Sequence, residues 1–276
     1  MPALFKALSL LPLWLLHAAG WLLGWLVFGL SGGYRQRFLA NAAQAGYGFA
    51  AVRGAVGQAG CLTLELPRIW LGASPRYEWR DLDVIDRAYQ SGKGVLLLTP
   101  HLGCFEIMAQ ALAARYSAEH GPLTVLYRPA RKAWLAELEG SSRDRPGLKA
   151  VPTTLAGVRD MIKALRRGEA VGLLPDQVPS DGLGQWVPFF GRDAYTMTLA
   201  ARLAQQTGAL PLLVWSERLP WGRGYRLHFR DFRQPLDAAL APALLQINQE
   251  MEGLVRECPQ QYLWSYARYK QPRAEG

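Results

Sequence analysis

Three stretches of the chain share one order of residues. LDVIDRAYQSGKGVLLLTPHLG (82–103), LAGVRDMIKALRRGEAVGLLPDQ (155–177) and LAARLAQQTGALPLLVWSER (199–218) each pass from an amphipathic helical segment through a glycine to a short apolar run. The apolar runs do not alternate with polar residues. A strand of that kind is buried on both faces, which is the condition of a strand in a largely parallel sheet covered by helices. LTVLY (123–127) adds another strand, and the alternating YRLHFRDF (225–232) reads as an edge strand. The fold class is therefore α/β: one domain with a largely parallel central sheet flanked by helices.

Residues 8–30, LSLLPLWLLHAAGWLLGWLVFGL, carry no formal charge and a single histidine, His17. A membrane-crossing helix needs roughly 20 apolar residues. A signal peptide is the main rival, but His17 stands where a cleavage site wants a small side chain, and the apolar run continues well past it. Tryptophans and glycines through the run suit a membrane helix with interfacial aromatics, and Pro12 shortens or kinks it. We expect an uncleaved N-terminal membrane helix; a helix lying flat in the interface is the alternative. Residues 1–40 then form the anchor and its flank, and residues 41–276 the globular domain. The Gly/Ala-rich stretch 41–70 reads as helical, with small residues that permit close packing.

The net charge of +9 on 276 residues suits an anionic partner, which a membrane surface, a phosphorylated ligand, nucleic acid or an acidic protein would each satisfy. The three cysteines, Cys61, Cys104 and Cys258, are widely spaced and form neither a disulfide framework nor a zinc motif. The four histidines show no metal-ligand spacing, so we expect no metal and no cofactor.

In open α/β sheets ligands bind beyond the carboxyl ends of the strands. Polar residues stand just past three of the strands: His101, then Arg128, then Asp176 with Gln177. In HLGCFE, Glu106 falls in the first turn of the next helix, from which a carboxylate can reach back to orient His101 as a general base. Backbone amides near Leu102 to Cys104 are candidate oxyanion donors. A capping or core hydrogen bond is the competing reading of the His…Glu pair. Cys104 is a less favoured nucleophile and reads better as a small apolar filler. Arg128, Arg131 and Lys132, with Arg143 and Arg145, make a basic cluster suited to a phosphate or an acidic carrier, or simply a solvated loop. Asp176 reads as a partner for one of those arginines.

HLGCFE, YRP (127–129), LLPDQVPSDGLGQWVPFFGRDAYT (173–196) and PQQYLWSYARYK (259–270) together resemble the bacterial lipid A late acyltransferases, within the lysophospholipid acyltransferase superfamily. The resemblance spans nearly the whole chain. It implies an O-acyltransferase acting at the cytoplasmic face of the bacterial inner membrane, with an acyl carrier protein thioester as donor, a lipid A precursor as acceptor, no cofactor and no nucleic acid. It sets no oligomeric state. It implies His101 and Glu106 as the catalytic pair and matches Arg143, Arg145 and Asp176; with Arg128 and Gln177 from the strand ends, these are the expected substrate-binding residues. Cys104 and Phe105 stand where the family often has Asn and Trp. VPFFG lines an acyl groove or packs in the core, and the aromatic, basic tail forms an interfacial belt. A glycerophospholipid acyltransferase and a non-catalytic membrane-anchored lipid-binding protein are the competing functions.

Overall fold

A computed structural model describes residues 2–127 and 146–273. Among these, the strands are β1 (Tyr77–Trp79), β2 (Val95–Leu98), β3 (Leu123–Tyr127), β4 (Leu148–Pro152), β5 (Ala170–Leu173), β6 (Gly184–Phe189), β7 (Arg192–Met197), β8 (Leu210–Arg218) and β9 (Tyr225–Asp231). The helices are α1 (Pro2–Ser9), α2 (Leu13–Leu30), α3 (Gly32–Gln44), α4 (Phe49–Val52), α5 (Gly54–Leu71), α6 (Leu82–Gln90), α7 (Phe105–His120), α8 (Leu155–Arg166), α9 (Leu199–Thr207) and α10 (Leu240–Glu257).

Seven strands form one sheet in the order β1-β9-β8-β2-β5-β3-β4, and every neighbouring pair is parallel except β8 with β9. The lack of alternation in β2 has a direct cause. Leu96 and Leu98 enter a core with α8, α9 and α10, while Val95 and Leu97 enter a second core with α6 and α7. Successive side chains of a strand point to opposite faces, so a strand with helices on both faces must be apolar throughout. The expectation for residues 225–232 needs correction. β9 lies one place inside the edge, because the three-residue β1 pairs along its outer side. So short a strand leaves no periodic signal.

Three side chains of the VPFFG stretch, Val187, Phe189 and Phe190, belong to the core. Phe189 and Phe190 are buried at the end of the β6–β7 hairpin. Its two turn residues, Phe190 and Gly191, both have positive φ (48° and 74°), as a two-residue hairpin turn requires. The unfavourable conformation of Phe190 is offset by its surroundings. Its amide donates to Glu252 Oε1 at 2.6 Å, and the Arg256 guanidinium lies 4.8 Å over its ring.

Pro12 divides the long apolar segment. α1 ends at Ser9, and among the described residues α2 alone is long and apolar enough to cross a membrane. One side of α2 packs tightly on α5 through glycines. A Cβ on Gly24 would fall 2.1 Å from the Val56 carbonyl oxygen, and one on Gly60 only 1.9 Å from that of Gly20. The small residues of 41–70 thus permit the close approach that their composition suggests. Gly24→Ala should cost about 1–3 kcal/mol, the usual penalty for overpacking, seen as a lower denaturation midpoint. Gly29→Ala, with nothing within 4 Å of its would-be Cβ, should leave the midpoint unchanged or slightly raised.

Candidate active site

Two adjacent parallel strands set the geometry of the site. β2 and β5 pair with Leu98 opposite Leu173. Thr99-Pro100-His101 follows the first, and Leu174-Pro175-Asp176 follows the second. Each chain passes through a proline and delivers a polar residue three positions beyond the paired leucine. Parallel neighbours are about 4.8 Å apart, so the two side chains emerge together. His101 Nδ1 lies 2.7 Å from Asp176 Oδ1, and the His101 backbone amide donates to Asp176 Oδ2 at 2.9 Å.

The bond to Asp176 fixes the tautomer. The Asp176 carboxyl, only 3% exposed, is pushed upward in pKa by burial. The charge and hydrogen bonds of His101, with Arg268 beyond, outweigh this and hold it below its usual value. An ionised carboxylate only accepts, so Nδ1 carries a proton in either form of the ring, and in the neutral imidazole, the form that acts as a base, Nε2 presents the lone pair. Gln177 Nε2 lies 2.9 Å from that nitrogen and donates to it.

Asp176 holds the His101 ring by its Nδ1, the contact foreseen for Glu106. Glu106, in the first turn of α7, accepts a hydrogen bond from the Trp70 indole of α5 at 3.1 Å. The foreseen oxyanion amides are already engaged: Leu102 donates to Pro100 O, Gly103 to Gln261 O and Cys104 to Ser216 O. Cys104 is fully buried, and burial raises its thiol pKa well above the ordinary value, which suits a core filler and not a nucleophile. Arg128, Arg143 and Arg145 lie outside the described residues, as do Arg131 and Lys132.

The C-terminal tail builds the floor of the site. Leu263 N donates to His101 O at 3.1 Å, and Val178 N, just past Gln177, donates to the Tyr266 hydroxyl at 2.9 Å. Tyr262 and Trp264 are buried, so these aromatics are core residues and not an interfacial belt. Arg268, also buried, binds Tyr195 O and Thr196 Oγ1.

Residues 56–271 match the family model described as bacterial lipid A biosynthesis acyltransferase. The chain belongs to this family. Similar proteins include the lipid A biosynthesis palmitoleoyltransferase of Escherichia coli (strain K12), 26% identical over 216 residues, covering 76% of this chain and 68% of that protein. The lipid A biosynthesis lauroyltransferase of the same organism is 30% identical over 187 residues, covering 67% of this chain and 58% of its own. A lipid A biosynthesis acyltransferase of Haemophilus influenzae is 24% identical over 189 residues, covering 68% and 58%. Family membership makes this chain an O-acyltransferase and sets aside the reading as a non-catalytic binding protein.

Behind the site of this lipid A acyltransferase relative lies a buried ion pair that the sequence reading missed. Arg218, at the end of β8, donates from Nε to Glu65 Oε2 at 2.8 Å and from Nη2 to the Gly103 carbonyl at 3.3 Å. Tyr225 and His17 also bond to Glu65 Oε2, at 2.8 and 3.0 Å. Burial alone would raise the Glu65 pKa, but Arg218 above all takes it from 4.5 down to about 2. Its folded pKa is depressed, so its contribution is complete above about 4.5 and is lost as pH falls through about 2.

Two measurements follow. Glu65→Gln should cost about 3–5 kcal/mol at neutral pH by stranding Arg218, and should flatten the stability-versus-pH curve between those two pKa values. Asp176→Asn should keep the fold while lowering turnover by at least about a hundredfold, because an amide neither enforces the tautomer nor stabilises an imidazolium. Near-normal turnover of the Asn variant would contradict the orienting role.

Proposed function

We propose that the chain transfers a fatty acyl group from an acyl carrier protein thioester to a hydroxyl of a lipid A precursor, at the cytoplasmic face of the bacterial inner membrane. Residues 1–40 serve as the membrane anchor and flank, and residues 41–276 as the acyltransferase domain. The observation that carries this reading is the lone pair of His101 Nε2, fixed by Asp176 at the strand-end rim, in a chain of the lipid A acyltransferase family. The relatives, a palmitoleoyltransferase and a lauroyltransferase of lipid A biosynthesis, support lipid A biosynthesis as the setting.

In this mechanism the acceptor hydroxyl takes the place of the Gln177 amide at Nε2. His101 removes its proton as the oxygen attacks the thioester carbonyl. The tetrahedral intermediate collapses, the carbon–sulfur bond breaks, and the imidazolium returns the proton to the leaving thiolate. Asp176 stabilises the imidazolium through Nδ1, and Glu106 adds negative charge from the first turn of α7. The displaced Gln177 amide, next to Nε2, serves the oxyanion, since the loop amides are engaged. No nucleophile on the enzyme is needed: positioning and base catalysis suffice. Arg128, Arg143 and Arg145 hold the acceptor phosphate, on the chemical ground that a guanidinium fork matches phosphate oxygens.

The test is acyl transfer followed by mass spectrometry, with purified acyl carrier protein and coenzyme A thioesters offered separately to a lipid A precursor. The expected result is transfer from the carrier-protein donor. His101→Ala and Glu106→Gln should each fall by at least about a hundredfold. Gln177→Ala should lose a comparable factor in kcat with little change in KM. Undiminished rates in His101→Ala would overturn the mechanism, and transfer only to glycerophospholipid acceptors would overturn the substrate.

A further inference from the structure

α2 is fastened to the rest of the domain at both of its ends. At its start, the short Pro220–Gly222 turn joining β8 to β9 rests on it: a Cβ on Gly222 would fall 2.3 Å from the Trp14 nitrogen. At its end, Phe28 stacks on Phe49 at 5.5 Å and meets Phe38 edge-on at the same distance. The helix that carries Phe38 is tied to the C-terminal tail, because Asn41 Nδ2 donates to Trp264 O at 2.6 Å. Between these ends run the glycine contacts with α5 and the His17–Glu65 bond.

The 18 residues of α2 rise roughly 27 Å, near the hydrocarbon thickness of a bilayer. By length and apolarity the helix passes as a spanning one. What it is fastened to argues otherwise. If α2 crossed the bilayer, the structures fixed along it would cross too: the ends of β8 and β9, the Glu65–Arg218 pair and the exposed Arg223. Charged groups at that depth are rarely tolerated. A helix laid in the interface keeps its packed face on the protein and its outward face in lipid. That outward face, with Trp14, Trp21, Leu22, Leu26 and Leu30 exposed, carries no charge.

The Pro220–Gly222 tip extends this face. Trp221 is 89% exposed and holds a positive φ of 59°, a conformation unfavourable for a bulky side chain. Its neighbours seat on α2 while its indole projects outward. Indoles concentrate at membrane interfaces, and the exposed Arg223 beside it suits headgroup phosphates.

We propose that α2 lies in the plane of a single leaflet and that Trp221 is a second membrane contact beside it, so that an anionic lipid surface is the partner of this whole face. The proposal does not depend on which acyl acceptor the enzyme uses.

The full chain carrying Cys258→Ser, which leaves only the buried Cys61 and Cys104, accepts a single cysteine at Leu10, Leu22, Leu30 or Trp221 for labelling with bimane. Quenching by phospholipids brominated at shallow or deep acyl positions, in vesicles of phosphatidylethanolamine and phosphatidylglycerol, should place all four labels at one shallow depth. A deep label at Leu22 with shallow ones at Leu10 and Leu30 would mean a spanning helix and overturn the in-plane orientation. Trp221→Glu should weaken vesicle binding roughly tenfold, Trp221→Phe much less, with activity on detergent-dispersed acceptor unchanged in both. Wild-type vesicle affinity in Trp221→Glu would remove the tip from the membrane contact.

Discussion

The pairing of Leu98 with Leu173 is the constraint on which the site depends. It is a backbone relation between two buried strands, and it specifies no chemistry by itself. Equal offsets past that pair place His101 and Asp176 at hydrogen-bond distance, and the carboxylate then determines which ring nitrogen is free. A parallel strand that slipped by one residue would turn its apolar set to the opposite face and separate the two side chains. The packing of two cores and the orientation of one imidazole are thus enforced by the same register.

Support from behind comes from segments far apart in sequence. Arg218 reaches the Gly103 carbonyl, Gln261 accepts from the Gly103 amide, and Leu263 donates to His101 O. Buried ion pairs contribute little net stability against a hydrophobic alternative, because desolvation opposes their attraction. What the Glu65–Arg218 pair contributes is position. Through His17 and Gly103 it joins the apolar helix, α5 and the histidine loop in one hydrogen-bonded group. Membrane seating and site geometry consequently share structural parts.

The sequence displays those features of the fold that are local. The three helix–glycine–strand units are legible because a doubly covered strand is apolar throughout, and the small residues of 41–70 announce close helix packing. His101 is legible as a rim residue. Its partner is not, because register is a relation between strands and spacing along one chain points to Glu106 instead. A signal was available: LTPH and LLPD each place a polar residue after a proline at the same offset from a buried strand. β1 and β4 are too short and mixed to register as strands, and the β6–β7 hairpin hides behind a turn that begins with phenylalanine. The core role of the tail aromatics is equally invisible, since belts and cores use the same residues.

The tautomer of His101 tests the central claim most directly. In the full chain labelled with 15N histidine, long-range nitrogen–proton correlation spectra distinguish a protonated Nδ1 from a protonated Nε2. The His101 resonances are assigned by their loss in His101→Gln. The account requires the proton on Nδ1 at neutral pH in the unliganded protein, and a mixture of tautomers once Asp176 is replaced by Asn. A proton resident on Nε2, or a tautomer that ignores the Asp176 substitution, would contradict it.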